Sequence, residues 1–257
     1  MSGPSSILPE TPKGAKKQSL CEAALLFASL YLPGMLWPGV SLGWESAAFG
    51  LRMAQFVTAA LPQALLLLYL LWVRGPAPGQ ASIWREFGIP RPRAVDLAWS
   101  LALAGGVFLL LGLLLLALSR LGVARQFLES GFRWRLSDAR LLPMAVLFSL
   151  LAGYREELFF RSYLLVRFAQ IGLHPAAAIA ASSLLFACGH LYQGPFGFSV
   201  ALLLGVYFAL AFLRLRNLHR VAWAHALYNA AVLAGSLLLE RTPLLAPSRL
   251  SNLFPAP

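Results

Sequence analysis

The sequence predicts an all-α protein, a polytopic bundle of about seven transmembrane helices (six to eight). Three observations predict it. Hydrophobic residues make up 59% of the 257-residue chain and charged residues 12%, against roughly 45–50% and 25% in soluble domains. Mean hydropathy is +0.70, so a soluble fold would have too little polar surface to cover its core. The apolar residues fall in Leu/Ala-rich runs near the length of about 20 residues that takes a helix across a bilayer. They lack the period-two alternation of a membrane β-barrel.

The elements follow in chain order. Residues 1–19 are polar, with Pro4, Pro9, Pro12, Lys13, Lys16 and Lys17, and are expected to be a disordered cytoplasmic tail. The apolar run from Leu20 is too long for a signal-peptide core, and no small-residue cleavage site follows it. The first span is therefore predicted at 20–41. Others are predicted at 49–73, 96–119, 141–169, 174–191, 197–213 and 219–239. They form one domain, 20–240, with a polar-motif core at 141–235 and a short tail at 241–257.

The linker 74–95 holds Arg74, Arg85, Arg91 and Arg93, and the connection 214–220 holds Arg214, Arg216 and Arg220. The positive-inside rule places both, with the N-terminus, in the cytoplasm. Residues 120–140 carry five arginines beside Phe127, Phe132 and Trp134, and are expected to lie on the membrane surface as an amphipathic stretch. Their charge opposes the orientation that seven crossings give.

The net charge of +11 belongs with lipid headgroups, since Arg and Lys gather at helix ends and in loops. Membrane lipid and a protein or peptide substrate are the expected partners, and nucleic acid is not. Cys21 and Cys188 have no pairing or metal-ligating spacing and are expected to be packing residues. The sequence assigns no oligomeric state.

The fourth span contains charge that lipid does not tolerate idly. Glu156 and Glu157 stand side by side, followed by Arg161, and one ionised residue at a helix centre costs about 2.5–3.5 kcal/mol on insertion scales. Glu157 and Arg161 share a face at i,i+4 and can pair. Glu156 is turned about 100° away and lacks that partner, which suits a general base. Ion pairs also serve simply to bind helices together, and that reading fits Glu157 and Arg161 better than it fits Glu156.

Of four histidines, His174 and His219 fall at predicted helix boundaries and are expected to be interfacial, without a catalytic role. His190 closes the fifth span and His225 lies inside the seventh. Phe186 precedes His190 by four residues, and Asn229 follows His225 by four, so each pair shares a face. Phe186 is placed to orient the imidazole, though an aromatic at this spacing also fits plain core. The candidate cluster is Glu156, Glu157, Arg161, Phe186, His190, His225 and Asn229.

Two chemistries fit these residues. Glu156, His190 and His225 could hold zinc, but no HExxH is present, and a neutral amide such as Asn229 is a poor zinc ligand. The favoured version needs no cofactor: a Glu helped by a His takes a proton from water, and a His and an Asn donate hydrogen bonds to the oxyanion. No GxSxG occurs, and Ser182 and Ser183 lie about two helical turns before His190, too far for a hydrogen bond.

The ordered segments Glu156-Glu157-x-x-x-Arg161, Phe186-x-x-x-His190 and His225-x-x-x-Asn229 resemble the three motifs of the CPBP family. That family of intramembrane proteases includes the CAAX prenyl endopeptidases and bacterial proteins linked to bacteriocin self-immunity. Phe87-Gly88-Ile89-Pro90-Arg91-Pro92-Arg93 is similar to a basic, Gly-containing segment common there, and Gly205 to Asn229 to its last core; the resemblance covers about residues 85–235. It implies a glutamate-dependent intramembrane endopeptidase in a bacterial inner membrane, acting near the C-terminus of a membrane-associated, lipidated or sorted substrate. Glu156 would activate water with His190, His225 and Asn229 would form the oxyanion site, and Glu157, Arg161 and Phe186 would support them. The alternatives are a non-catalytic immunity or scaffold protein of the same fold and a small transporter, the latter without the inverted repeat or paired broken spans expected of one. With these boundaries the three motifs do not reach one membrane depth, so a span must be tilted or broken, or the boundaries shifted.

Overall fold

The computed structural model describes residues 13–33, 49–73, 83–122, 136 and 138–241, and regular structure among them is wholly helical. The helices are α1 (Lys13–Leu30), α2 (Phe49–Val73), the single turn α3 (Ile83–Glu86), α4 (Ala94–Arg120), α5 (Leu142–Glu157), α6 (Leu165–Gln170), α7 (Pro175–Cys188), α8 (Gly194–Leu215) and α9 (Leu218–Arg241). A π-helical segment, Leu158–Leu164, joins α5 to α6 without a break.

Each of the seven predicted spans has helix at its place. Among the described residues, four helices are long and apolar enough to cross a bilayer: Met53–Val73, Ala94–Arg120, Leu191–Leu215 and Leu218–Leu238. α1 starts at Lys13, inside the stretch read as a tail. The end of the first predicted span, most of the basic surface stretch and the C-terminal tail lie outside the described residues.

α7 accounts for the problem of depth. It has only 14 residues, about 21 Å of rise against a hydrocarbon core of about 30 Å. A helix this short does not span that thickness along its axis, and it ends two residues before His190. Pro175 at its first turn and the His174 ring, which accepts from the Ala176 amide at 3.3 Å, begin it. The chain turns at Gly194 (φ 75°) and returns as α8, packed so closely on α7 that a Cβ on Gly205 would lie 3.0 Å from that of Ser183.

α5 and α9 run antiparallel: Tyr154 meets His219 at one end, and Ala145 clusters with Leu233 and Leu237 at the other. Small residues let their backbones approach, as membrane helix pairs favour. A Cβ on Gly153 would come within 2.6 Å of the Ala222 carbonyl oxygen and 3.1 Å of the Ala226 nitrogen.

Residues 86–90 form a strap that ties the start of α9 to the π-helical segment. Leu218 N donates to the Gly88 carbonyl at 2.7 Å, and His219 Nε2 donates to that of Pro90 at 2.8 Å. The Arg216 guanidinium reaches the Glu86 carbonyl and Ser162 Oγ that of Phe87. Gly88 is required here: its φ is +65°, and a Cβ would strike the Phe212 ring at 2.8 Å. Asp96 anchors the same corner. Its carboxylate accepts from Arg93 N at 2.9 Å, Asn217 Nδ2 at 3.1 Å and Arg220 Nε at 2.8 Å, so α4 and α9 are fixed to each other by a fully used buried anion.

Gly153→Ala is expected to destabilise the protein by about 1–3 kcal/mol, the usual range for overpacking, as a lowered thermal unfolding midpoint in detergent. Gly105→Ala, where nothing lies within 4 Å, should leave the midpoint unchanged or raise it.

Candidate active site

The site forms where α5 passes into the π-helical segment, against the third turn of α9 and the end of α7. All seven residues Leu158–Leu164 are buried. A π turn is wider than an α turn and is found mostly at functional sites; here it seats Phe159, Phe160, Arg161 and Tyr163 around one axis with no face left to solvent or lipid.

Glu157 is the centre. Its side chain is fully buried and lies 3.1 Å from Arg161 Nε through Oε2. Through Oε1 it accepts from His225 Nδ1 at 2.8 Å. The i,i+4 pair expected from sequence is present, though as an ion contact not aligned for hydrogen bonding. Arg161 is also buried. Its guanidinium lies over the Phe186 ring at 4.4 Å, and Nη2 donates to the Gly205 carbonyl at 3.4 Å. The aromatic face adds a favourable contact for a desolvated cation.

Glu156 does not share these partners. Its side chain is 15% exposed, and its carboxylate lies 3.7 Å from His225 Nε2, beyond hydrogen-bond range. The two adjacent carboxylates thus have different surroundings: Glu157 is held between the Arg161 guanidinium and the His225 ring, whereas Glu156 has the longer 3.7 Å contact to His225. His225 is held on its other faces by Phe208, stacked at 5.3 Å and 15°, and by Phe186, edge-on at 6.0 Å.

His190 follows α7 in a turn. Its Nδ1 donates to the Phe186 carbonyl at 2.9 Å, and its ring sits 4.7 Å from that of Phe186. Donation from Nδ1 leaves Nε2 as the acceptor in the neutral ring. Glu156 and His225 both lie within electrostatic reach of it. Phe186 is therefore wedged between His190, His225 and Arg161. Asn229 is half-buried one turn beyond His225, and among the described residues nothing hydrogen-bonds its amide.

Of the seven candidates, then, Glu156, Glu157, Arg161, Phe186, His190 and His225 converge, and Asn229 stands on the His225 face of α9. Sequence reasoning missed Phe208, which no spacing rule marks, and a pair beside the site. The Tyr154 hydroxyl meets His219 Nδ1 at 2.8 Å, with Tyr154 three residues before Glu157. The boundary position of His219 is as expected, but the polar contacts of both its ring nitrogens are not. Ser182 donates to the Phe160 carbonyl at 2.7 Å, which leaves it a structural hydroxyl.

Residues 138–231 match the family model described as type II CAAX prenyl endopeptidase Rce1-like. The match runs from just before α5 into α9, takes in all seven candidates, and supports membership of the CPBP family. That is a family of proteases, and the four long apolar helices among the described residues accord with an integral membrane protein. Neither the curated proteins nor the solved structures hold a match to this chain.

Removing one member of the buried pair should cost more than removing both. Arg161→Met is expected to destabilise by about 3–5 kcal/mol, because it leaves a buried anion short of a partner. Combined with Glu157→Gln it should recover most of that loss in the same denaturant titration.

Proposed function

We propose that this protein is a glutamate-dependent intramembrane endopeptidase that cleaves near the C-terminus of a membrane-associated, lipidated or sorted substrate. The observation that bears most on this reading is the unequal pair: Glu157 engaged on both oxygens, Glu156 free beside the rings of His225 and His190. Two like residues given unlike surroundings is how one site divides acid–base roles.

In this mechanism water binds between Glu156 and His190. Glu156 takes one proton as the water oxygen bonds to the scissile carbonyl carbon. His225 Nε2 and the Asn229 amide donate to the oxyanion. For His225 to donate from Nε2 while Nδ1–H is bonded to Glu157, the ring must hold both protons, and Glu157 balances that charge. The tetrahedral intermediate collapses, the C–N bond breaks, and the proton held by Glu156 passes to the departing amine. The buried wall of Phe186, Phe208 and Phe160 keeps bulk water out, so each charge interaction acts through a low dielectric.

Among the described residues no three His, Cys, Asp or Glu side chains are arranged to hold an ion. The Nδ1 atoms of His190 and His225 are bonded to Phe186 and Glu157, which leaves each Nε2 open, as it is on metal-ligating histidines. The proposed steps route nothing through a metal.

Glu156→Gln should abolish cleavage in cells while the protein still accumulates in the membrane, measured by comparing C-terminal peptides of membrane and exported proteins. Wild-type processing by that variant would sink the proposal. A strong chelator added to purified protein should leave the cleavage rate within about twofold, since loss of a required metal costs orders of magnitude. Loss of activity that zinc restores would replace the metal-free mechanism.

A further inference from the structure

We propose that Tyr154 and His219 are positioning residues, a hydrogen-bonded clamp that sets the axial register between α5 and α9 and so the placement of Glu156 against His225. The proposal rests on the endopeptidase reading for its kinetic consequences, but its geometry stands apart from it.

The seam between α5 and α9 is close and smooth at the level of the site. Gly153 faces Ala222 and Ala226 so tightly that no Cβ fits, and Ala152 is buried alongside. Such a seam fixes the distance between the helices and leaves few interlocking knobs to resist sliding along it. Register must then come from directional contacts. One contact, Leu136 N donating to Ser236 Oγ at 3.0 Å, ties α9 to the chain before α5 and not to α5 itself. A second lies in the site, between Glu157 and His225. On the other side stands the Tyr154–His219 contact at 2.8 Å.

His219 suits this role because both its ring nitrogens are taken. The Pro90 carbonyl can only accept, so Nε2 carries the proton and donates at 2.8 Å. In the neutral ring Nδ1 is then an acceptor, and the Tyr154 hydroxyl donates to it. The chain of contacts runs from the strap through the His219 ring to α5, one turn from the two glutamates. The ring is also braced by Trp223 at 5.9 Å. A slip of one helical residue would shift α5 by about 1.5 Å. That is large beside the 3.7 Å between Glu156 and His225.

The test uses full-length protein in detergent and two readouts. The first is cleavage of a farnesylated peptide ending in Cys-aliphatic-aliphatic-X. Tyr154→Phe, which removes only the hydroxyl, should lower kcat about three- to thirty-fold, within the range that misplacement near 1 Å produces, with KM little changed. His219→Ala should lose at least as much. His219→Gln, whose amide can accept from Tyr154 and donate to Pro90, should keep more than half the wild-type kcat. The second readout is nitrogen NMR of 15N-labelled histidine, which does not depend on activity. Wild-type His219 should show the Nε2–H tautomer, and Tyr154→Phe should move the resonances of His225 as well as those of His219. Unmoved His225 resonances in both Tyr154→Phe and His219→Ala would overturn the clamp. So would wild-type kcat in both variants. If wild-type protein leaves this peptide uncut, the failure belongs to the substrate reading, and the NMR arm alone decides the clamp.

Discussion

The Glu157 carboxylate is the constraint on which the rest of the site depends. One oxygen faces Arg161 and the other His225, with no part of the side chain exposed. Removing a carboxylate from water is expensive unless its partners are well placed. The surrounding fold can be understood as the means of placing them. Arg161 must be carried on the same helix as Glu157, so that its position is inherited from the backbone. His225 must come from a second helix at a fixed height. The aromatic rings of Phe186, Phe160 and Phe208 fill the remaining space. They provide the low dielectric that strengthens the ion contact, and they exclude water that would weaken it.

Three departures from ideal helix make this placement work. The π-helical segment lets four large side chains surround one axis. α7 is shorter than the hydrocarbon thickness, and its end brings His190 against Phe186 beside the site. Arg216 takes a left-handed conformation at the end of α8, with φ 47°, a strained position for a residue with a Cβ. It is held by its bond to the Glu86 carbonyl and by its own amide, which donates to Phe212 at 2.7 Å. The strap at 86–90 thereby fixes where α9 begins, and with it the height of His225. The π-helical segment contains Arg161 and the end of α7 lies two residues before His190, where such features concentrate, while Arg216 acts from nine residues before His225.

The sequence made much of this legible, and the limits have physical reasons. Glu157 with Arg161 could be paired because i,i+4 is a local rule, and it survives although Arg161 lies in π-helical backbone. Helix positions could be found because apolar runs are long and lipid enforces them. Depth could not be found, because it depends on where α7 ends and how far α9 is held back by the strap, and neither leaves a periodic signal. Tyr154 and His219 escaped for a similar reason. They lie 65 positions apart, and a boundary histidine looks the same in sequence whether its ring meets headgroups or clamps two helices. The contacts of Asp96 with Asn217 and Arg220 were hidden in the same way, since a carboxylate in a first helical turn already has a local explanation.

The two adjacent glutamates show why a motif of this kind needs both. A single carboxylate cannot at once be a rigid counter-ion and a proton acceptor. As counter-ion it must be held fast between its partners, and that hold leaves it little freedom to take a proton from water. Neighbouring positions on a helix point about 100° apart, so two consecutive residues can face separate environments while sharing one backbone position. Glu157 faces inward and anchors Arg161 and His225. Glu156 faces the same His225 ring from its free nitrogen side, at a distance that leaves it unbonded. The anchored ring thus gives the unbonded carboxylate a fixed neighbour, and in the proposed mechanism the precision of the reactive group comes from the residue next to it.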